Sequence, residues 1–174
     1  YLDSGASQAK TFKYINMTFR DLNLNSALFN ALDDLGYTIP TTIQHRAFGV
    51  AMAGRDVIGI AQTGTGKTFA YLLPCLRLWK FSKNKIPQTL IVVPTRELVV
   101  QVVAEVEKLT TYMNVRAVGA YGGTNIKTQM AAIHKGADVL VATPGRLLDL
   151  VLTGVLKLKQ VKQLVIDEVD EMLN

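Results

Sequence analysis

Two short clusters in this sequence carry residue types spaced for handling a chain of phosphates. Ala61-Gln62-Thr63-Gly64-Thr65-Gly66-Lys67-Thr68 follows a β-branched run and opens a helical pattern. Glycines at 64 and 66 permit the turn that aims successive backbone N–H groups inward, and a helix start adds positive potential. From that position Lys67 can reach β- and γ-phosphates, and the Thr68 hydroxyl can ligate Mg²⁺. The pattern GxxxxGK[ST] is met except at its first position, where Ala61 replaces glycine. Far downstream, the apolar run Leu164-Val165-Ile166 delivers Asp167-Glu168-Val169-Asp170. An aspartate at the carboxyl edge of a strand can hold Mg²⁺ on its phosphate side, and the adjacent Glu168 can orient and polarise an attacking water. Taken singly, these are a glycine-rich turn and a solvated acidic turn. Their pairing across several strand–helix units favours the phosphate reading.

Such clusters need a scaffold. β-Branched runs at Asp56–Ile60, Thr89–Val93, Val115–Ala120, Asp138–Ala142 and Gln163–Ile166 read as strands. Helical spacing lies between them at Lys67–Trp79, Arg96–Tyr112, Asn125–His134 and Arg146–Leu152. Upstream, Leu28, Leu32 and Leu35 set a helix that Gly36 stops, and a second runs from about Pro40 to Ala53. Continuous apolar strands separated by helices predict an α/β fold, a mainly parallel β-sheet sandwiched by helices with a P-loop at one strand-to-helix junction.

Composition narrows the class. AVILMFWYC residues make up 49% and charged residues 19% of 174, which excludes extended disorder. Nineteen Lys and Arg against fourteen Asp and Glu leave +5, compatible with a phosphate-rich partner and also ordinary for a soluble protein. The single Cys75 excludes an internal disulfide and a cysteine-cluster metal site, and it fits a reducing compartment. No apolar run has the length of a membrane span and no signal-peptide core is visible, so a cytoplasmic protein without a membrane partner is expected. Residues 1–16 lack a usable period; they are expected to form a tail, non-native if Met17 is the natural start. One domain is expected over 17–174, truncated at its C-terminal end, where the chain stops just inside a helical pattern.

Further signatures sit in fixed order around the two clusters. Pro94-Thr95-Arg96-Glu97-Leu98, Gly122-Gly123 and Thr143-Pro144-Gly145-Arg146 fall after predicted strands, and Gly36-Tyr37-Thr38-Ile39-Pro40-Thr41-Thr42-Ile43-Gln44 lies upstream. Together with AQTGTGKT and DEVD, this series resembles the DEAD-box ATP-dependent RNA helicases from Phe19 to Asn174. The resemblance implies the first of two RecA-like domains, with ATP or ADP and Mg²⁺ as cofactors. It implies catalytic roles for Lys67, Asp167 and Glu168. Phosphates would lie on Ala61, Gln62, Thr63, Gly64, Thr65, Gly66, Lys67 and Thr68, with Mg²⁺ on Thr68 and Asp167. Gln44 would hydrogen-bond the adenine edge, as an amide with donor and acceptor can. Tyr37 would stack on its face, supported by Phe19. RNA would be tracked through its backbone by Pro94, Thr95, Arg96, Gly122, Gly123, Thr143, Pro144, Gly145 and Arg146, with no stacking aromatic among them. Asp170 would couple the two domains.

The sequence departs from that family at Val169, where the family's namesake alanine stands; packing is expected to change there and chemistry to persist. The family's Ser-Ala-Thr motif and second RecA-like domain, with its arginine finger, are not in these 174 residues. The expected partners are therefore single-stranded RNA or RNA duplex ends and a second RecA-like domain of the full-length chain. The expected function is an RNA-dependent ATPase that remodels or unwinds short duplexes, with this monomeric piece nearly inactive alone. A non-catalytic RNA clamp and a P-loop enzyme acting on small molecules are the rivals. Intact Lys67, Thr68, Asp167 and Glu168 weigh against the first, and the GG, TPGR and upstream glutamine motifs against the second.

Overall fold

The computed structural model describes residues 17–62, 64–83 and 86–173. The expected tail and Thr63 therefore lie outside the described residues. The chain forms two compact units, Tyr1–Arg77 and Leu78–Asn174.

In the first unit, helix starts follow local capping chemistry. A 3-10 turn at Phe19–Asp21 is closed by a reciprocal Thr18–Asp21 box, with the Thr18 N–H donating to Asp21 Oδ2 at 2.7 Å. That amide, followed by the Thr18 hydroxyl, holds the Asp21 carboxyl below the usual carboxylate range. Helix α1 (Ser26–Asp34) begins where Asn25 accepts from the Leu28 N–H at 2.9 Å and buries Leu28, Ala31 and Leu32. Helix α2 (Thr42–Met52) opens with a second capping box between Thr41 and Gln44. Pro40 thus precedes the cap instead of lying inside the helix, because Thr41 supplies the side-chain acceptor that the first turn requires. Helix α3 (Lys67–Leu78) buries Phe69, Leu72, Leu73, Cys75 and Leu76. Burial pushes the Cys75 thiol up to about 12, so it is no nucleophile at neutral pH.

The expected strand at Asp56–Ile60 is not formed. The segment pairs with no described strand, and Ile58 and Ile60 are each 93% exposed. A parallel ladder is a tertiary structure, so an apolar β-branched run becomes a strand only where a neighbour supplies the facing amides and carbonyls.

The second unit is a four-stranded parallel sheet in the order β2-β3-β1-β4, counted over the described residues: β1 (Thr89–Val92), β2 (Ala117–Ala120), β3 (Val139–Ala142) and β4 (Gln163–Ile166). β1 and β3 are buried throughout, as a sheet covered on both faces demands. The intervening helices are α4 (Arg96–Leu109), α5 (Ile126–His134) and α6 (Pro144–Leu152), and the short α7 (Val169–Met172) follows β4. Leu90, Val92, Val118, Ala120, Leu140 and Ala142 form one face, packed with Ile133 of α5 and Leu150 of α6. The opposite face meets α4, where Gly119 of β2 lies against Val99 and Val103; a Cβ at Gly119 would sit 2.9 Å from Val99 Cγ1. The α/β sandwich expected from alternating elements is therefore present in this unit. Below the strands, the buried Asp138 carboxylate accepts from Trp79 Nε1 at 3.1 Å and from the Arg116 N–H at 2.9 Å, which satisfies a charge that burial would otherwise penalise. Among the described residues, no helix is long and apolar enough to cross a membrane.

Candidate functional site

The phosphate loop has the backbone its composition predicts. Gly64 and Gly66 adopt φ of 78° and 86°, in the region L side chains avoid, and Lys67 and Thr68 open α3. A Cβ at Gly66 would run into the Gln44 amide. No described residue pairs with the half-buried Lys67 ammonium. Ala61, Gln62, Gly64 and Thr65 sit along the same turn, and the Thr65 hydroxyl donates to the Gln62 carbonyl at 2.6 Å. A loop of left-handed glycines ahead of a helix start and an unpaired cation fits a polyphosphate.

Gln44 is buried and already tied to that loop. The Thr41 N–H donates to its Oε1 at 2.9 Å, and its Nε2 donates to the Gly66 carbonyl at 3.2 Å. One amide therefore caps α2 and braces the phosphate turn, leaving a single N–H uncommitted. Tyr37 is about half exposed and meets Phe69 in a T-shaped contact, with ring centroids 5.2 Å apart. Phe19, expected behind Tyr37, lies in the core. It is 2% exposed, with its N–H donating to the Thr38 carbonyl at 3.1 Å, so it supports the Tyr37–Thr38 segment from the core.

In the second unit, Asp167 extends the β1–β4 pairing, its N–H donating to the Val92 carbonyl at 3.0 Å. Its Oδ1 accepts from the Glu168 N–H at 3.0 Å. Glu168 has φ 51° and ψ 48°, the only non-glycine residue at positive φ among those described. That conformation costs about 1–2 kcal/mol for an L side chain and is found where surroundings hold a residue against preference. Val169 and Asp170 are exposed on the first turn of α7. No group of three or more His, Cys, Asp or Glu able to hold a metal ion occurs among the described residues.

The three signatures expected to track a nucleic acid share this unit, and two of their arginines are not equivalent. Thr95 caps α4 by accepting from the Leu98 N–H at 3.2 Å, so Pro94 lies one residue ahead of the cap and does not start the helix. Pro144 does occupy the first turn of α6, behind Thr143, whose hydroxyl makes no cap bond. Gly122, Gly123 and Gly145 are exposed. Arg96 is exposed, its guanidinium over the Tyr121 ring at 5.1 Å. Arg146 is 9% exposed: it donates to Gln129 Oε1 at 2.6 Å and to the Thr124 carbonyl at 3.0 Å, and Asp149 lies 3.5 Å from its Nε. Of the two arginines expected on the nucleic-acid face, Arg96 is thus at the surface, whereas Arg146 is buried and engaged by Gln129 and Thr124. Sequence reasoning missed Tyr121 and Gln129. Tyr121 directly precedes the glycine pair, a signal that was readable; Gln129 sits mid-helix in α5 with no motif to mark it.

Comparison with known proteins agrees with this inventory. Residues 41–174 match the DEAD/DEAH box helicase family. The chain is 43% identical over 157 residues to the ATP-dependent RNA helicase DeaD of Mycobacterium tuberculosis, covering 90% of this chain and 28% of that protein. It is 45% identical to DeaD of Escherichia coli K12 (90% and 25%) and 42% identical to the DEAD-box ATP-dependent RNA helicase CshA of Streptococcus pneumoniae TIGR4 (91% and 30%). The chain thus spans under a third of these relatives. The crystal structure of a hypothetical ATP-dependent RNA helicase from Sulfolobus tokodaii superposes with a TM-score of 0.79 at 36% identity, over 86% of this chain and 43% of that one. A glycine-bent phosphate loop, a parallel sheet ending in DEVD and a family match across three-quarters of the sequence have one conclusion: the chain belongs to the DEAD/DEAH box helicases.

Proposed function

We infer that this domain binds ATP or ADP with Mg²⁺ and one face of single-stranded RNA, as part of a longer RNA-dependent ATPase that remodels or unwinds short RNA duplexes. The loop at residues 64–68 carries the inference. Its two left-handed glycines precede a lysine at a helix start that no described residue pairs with, an arrangement suited to an anion. The relatives' names supply the nucleotide and the nucleic acid.

Each residue then has a task its surroundings permit. The loop amides and Lys67 hold the β- and γ-phosphates and draw charge away from the bond to be broken. Thr68 and Asp167 each offer an oxygen suited to Mg²⁺, which when bound neutralises charge on the phosphate oxygens. Glu168 accepts a proton from the attacking water. Gln44 reads adenine with its remaining N–H while Tyr37 covers the base. A second domain supplies the cation for the other side of the γ-phosphate, worth about 10³–10⁵ in rate where such arginines act. Residues 1–174 alone should accordingly bind ADP weakly and turn ATP over very slowly. Cytoplasmic residence belongs to the same proposal.

The test is phosphate release by the full-length protein with and without RNA, beside single-stranded DNA. Stimulation by RNA and selectivity for ADP over GDP are expected. Glu168→Gln should retain nucleotide and lose about 10²–10⁴ in turnover, the usual worth of a positioned base. A fully active Glu168→Gln enzyme, or a parent that prefers GDP, would reject these assignments.

A further inference from the structure

The Tyr121–Thr124 turn, which carries the exposed Gly122-Gly123 pair, is fastened from beneath by a closed set of hydrogen bonds. Gln129, 8% exposed, donates from Nε2 to the Tyr121 carbonyl at 3.1 Å and to Thr124 Oγ1 at 2.7 Å. Its Oε1 accepts from Arg146 at 2.6 Å, and Arg146 donates again to the Thr124 carbonyl at 3.0 Å. The Thr124 hydroxyl closes the set on the Tyr121 carbonyl at 3.3 Å. Both N–H groups and the carbonyl of the Gln129 amide are thus engaged, all three on this one turn and its arginine. From above, the Arg96 guanidinium covers the Tyr121 ring.

We propose that Gln129 and Arg146 are positioning residues that hold the Gly122-Gly123 backbone in the shape that receives an RNA phosphate, and that Arg146 itself touches no RNA. This rests on the nucleic-acid face inferred above. For Arg146 to reach a phosphate it would have to abandon the Thr124 carbonyl and Gln129 Oε1, leaving the latter, a buried acceptor, without its donor. A glycine pair has the opposite weakness. With no side chains to restrict it, the turn samples many shapes unless something outside it selects one, and ordering it on binding would weaken affinity. The buried amide and guanidinium make that selection in advance. Arg96, exposed at the rim, is left as the cation that meets the phosphate directly.

Direct and indirect cations differ in salt dependence. Each phosphate contact on a single strand contributes about 0.7 to the slope of log affinity against log salt, whereas loop order contributes nothing to it. The experiment measures binding of a fluorescent oligouridylate by the full-length protein over a salt series, with ADP affinity and melting temperature alongside. Gln129→Leu and Arg146→Gln should weaken RNA about tenfold, the equivalent of one or two lost hydrogen bonds, with an unchanged slope. Gln129→Glu keeps the acceptor for Arg146 and thus the fold, yet loses both Nε2 donations. It should raise the apparent KM for RNA in phosphate release while leaving kcat at saturating RNA and ADP affinity as in the parent. Arg96→Ala should lower the slope by about 0.7. A slope reduction in Arg146→Gln equal to that in Arg96→Ala, or parental RNA affinity in both Gln129 variants, would overturn the positioning role alone. Parental affinity and slope in Arg96→Ala together with parental affinity in Gly123→Ala would remove the RNA face itself, and the positioning role with it.

Discussion

Two glycine-containing loops of this domain look alike in sequence and are built on opposite plans. The loop at 64–68 bends through two left-handed glycines and presents Lys67, whose ammonium no described residue holds. The turn at 121–124 bends through Gly123, at φ 78°, and its nearby cation Arg146 is buried and bonded to Gln129 and the Thr124 carbonyl. In the proposed reading, the first keeps a charge for the ligand and is braced by a neighbouring glutamine, Gln44, whereas the second is braced by its charge and offers the ligand its backbone. A glycine pattern with a basic residue thus does not say whether the cation is a tool or a fastener. The number of buried acceptors around it does.

Substitutions can break this contrast, beginning with the largest effect. Lys67→Ala should reduce ADP affinity by about 10²-fold or more, the value of one or two charge-assisted bonds, with an unchanged melting temperature; calorimetric titration and a thermal scan measure both. A large loss of stability would show that Lys67 is a fastener too. Arg146→Ala should do the reverse. It strands the Thr124 carbonyl and Gln129 Oε1, at a cost of about 2–3 kcal/mol in denaturant unfolding, while leaving ADP affinity alone. Gln44→Ala sharpens the comparison because its amide serves both purposes. ADP affinity should fall by roughly fivefold, and stability should drop by about 1 kcal/mol from the lost capping box and the lost bond to Gly66. Separation of the two losses, with one present and the other absent, would show that the amide has only one of these jobs.

Much of the fold was legible because its signals are local. β4 was predicted to the residue at Gln163–Ile166, and α3 begins at Lys67 as read. Asn25, Thr41, Thr95 and Asn125 all cap helices through bonds to residues two or three positions ahead. What was hidden depends on distant partners. Asp56–Ile60 has strand composition and no described neighbour to pair with. The role of Arg146 turns on Gln129, seventeen positions away on another helix, and no periodicity announces that meeting. The left-handed turn at Gly64 and Gly66 and the helix start at Lys67 were readable because they are written in a few consecutive residues.

The empty position at Gly119 has a consequence for how this sequence can drift. With a Cβ there falling 2.9 Å from Val99 Cγ1, the strand and α4 have closed to a spacing that no methyl group can enter unless the valine yields. Residues 99 and 119 are therefore alleles of one another's size. In a library randomised at both, an alanine at 119 should survive chiefly beside a smaller residue at 99, and the pair Gly119→Ala with Val99→Ala should be more stable than the sum of its single changes by about 1 kcal/mol. Two positions that lie twenty residues apart in the chain are, to mutation, a single site.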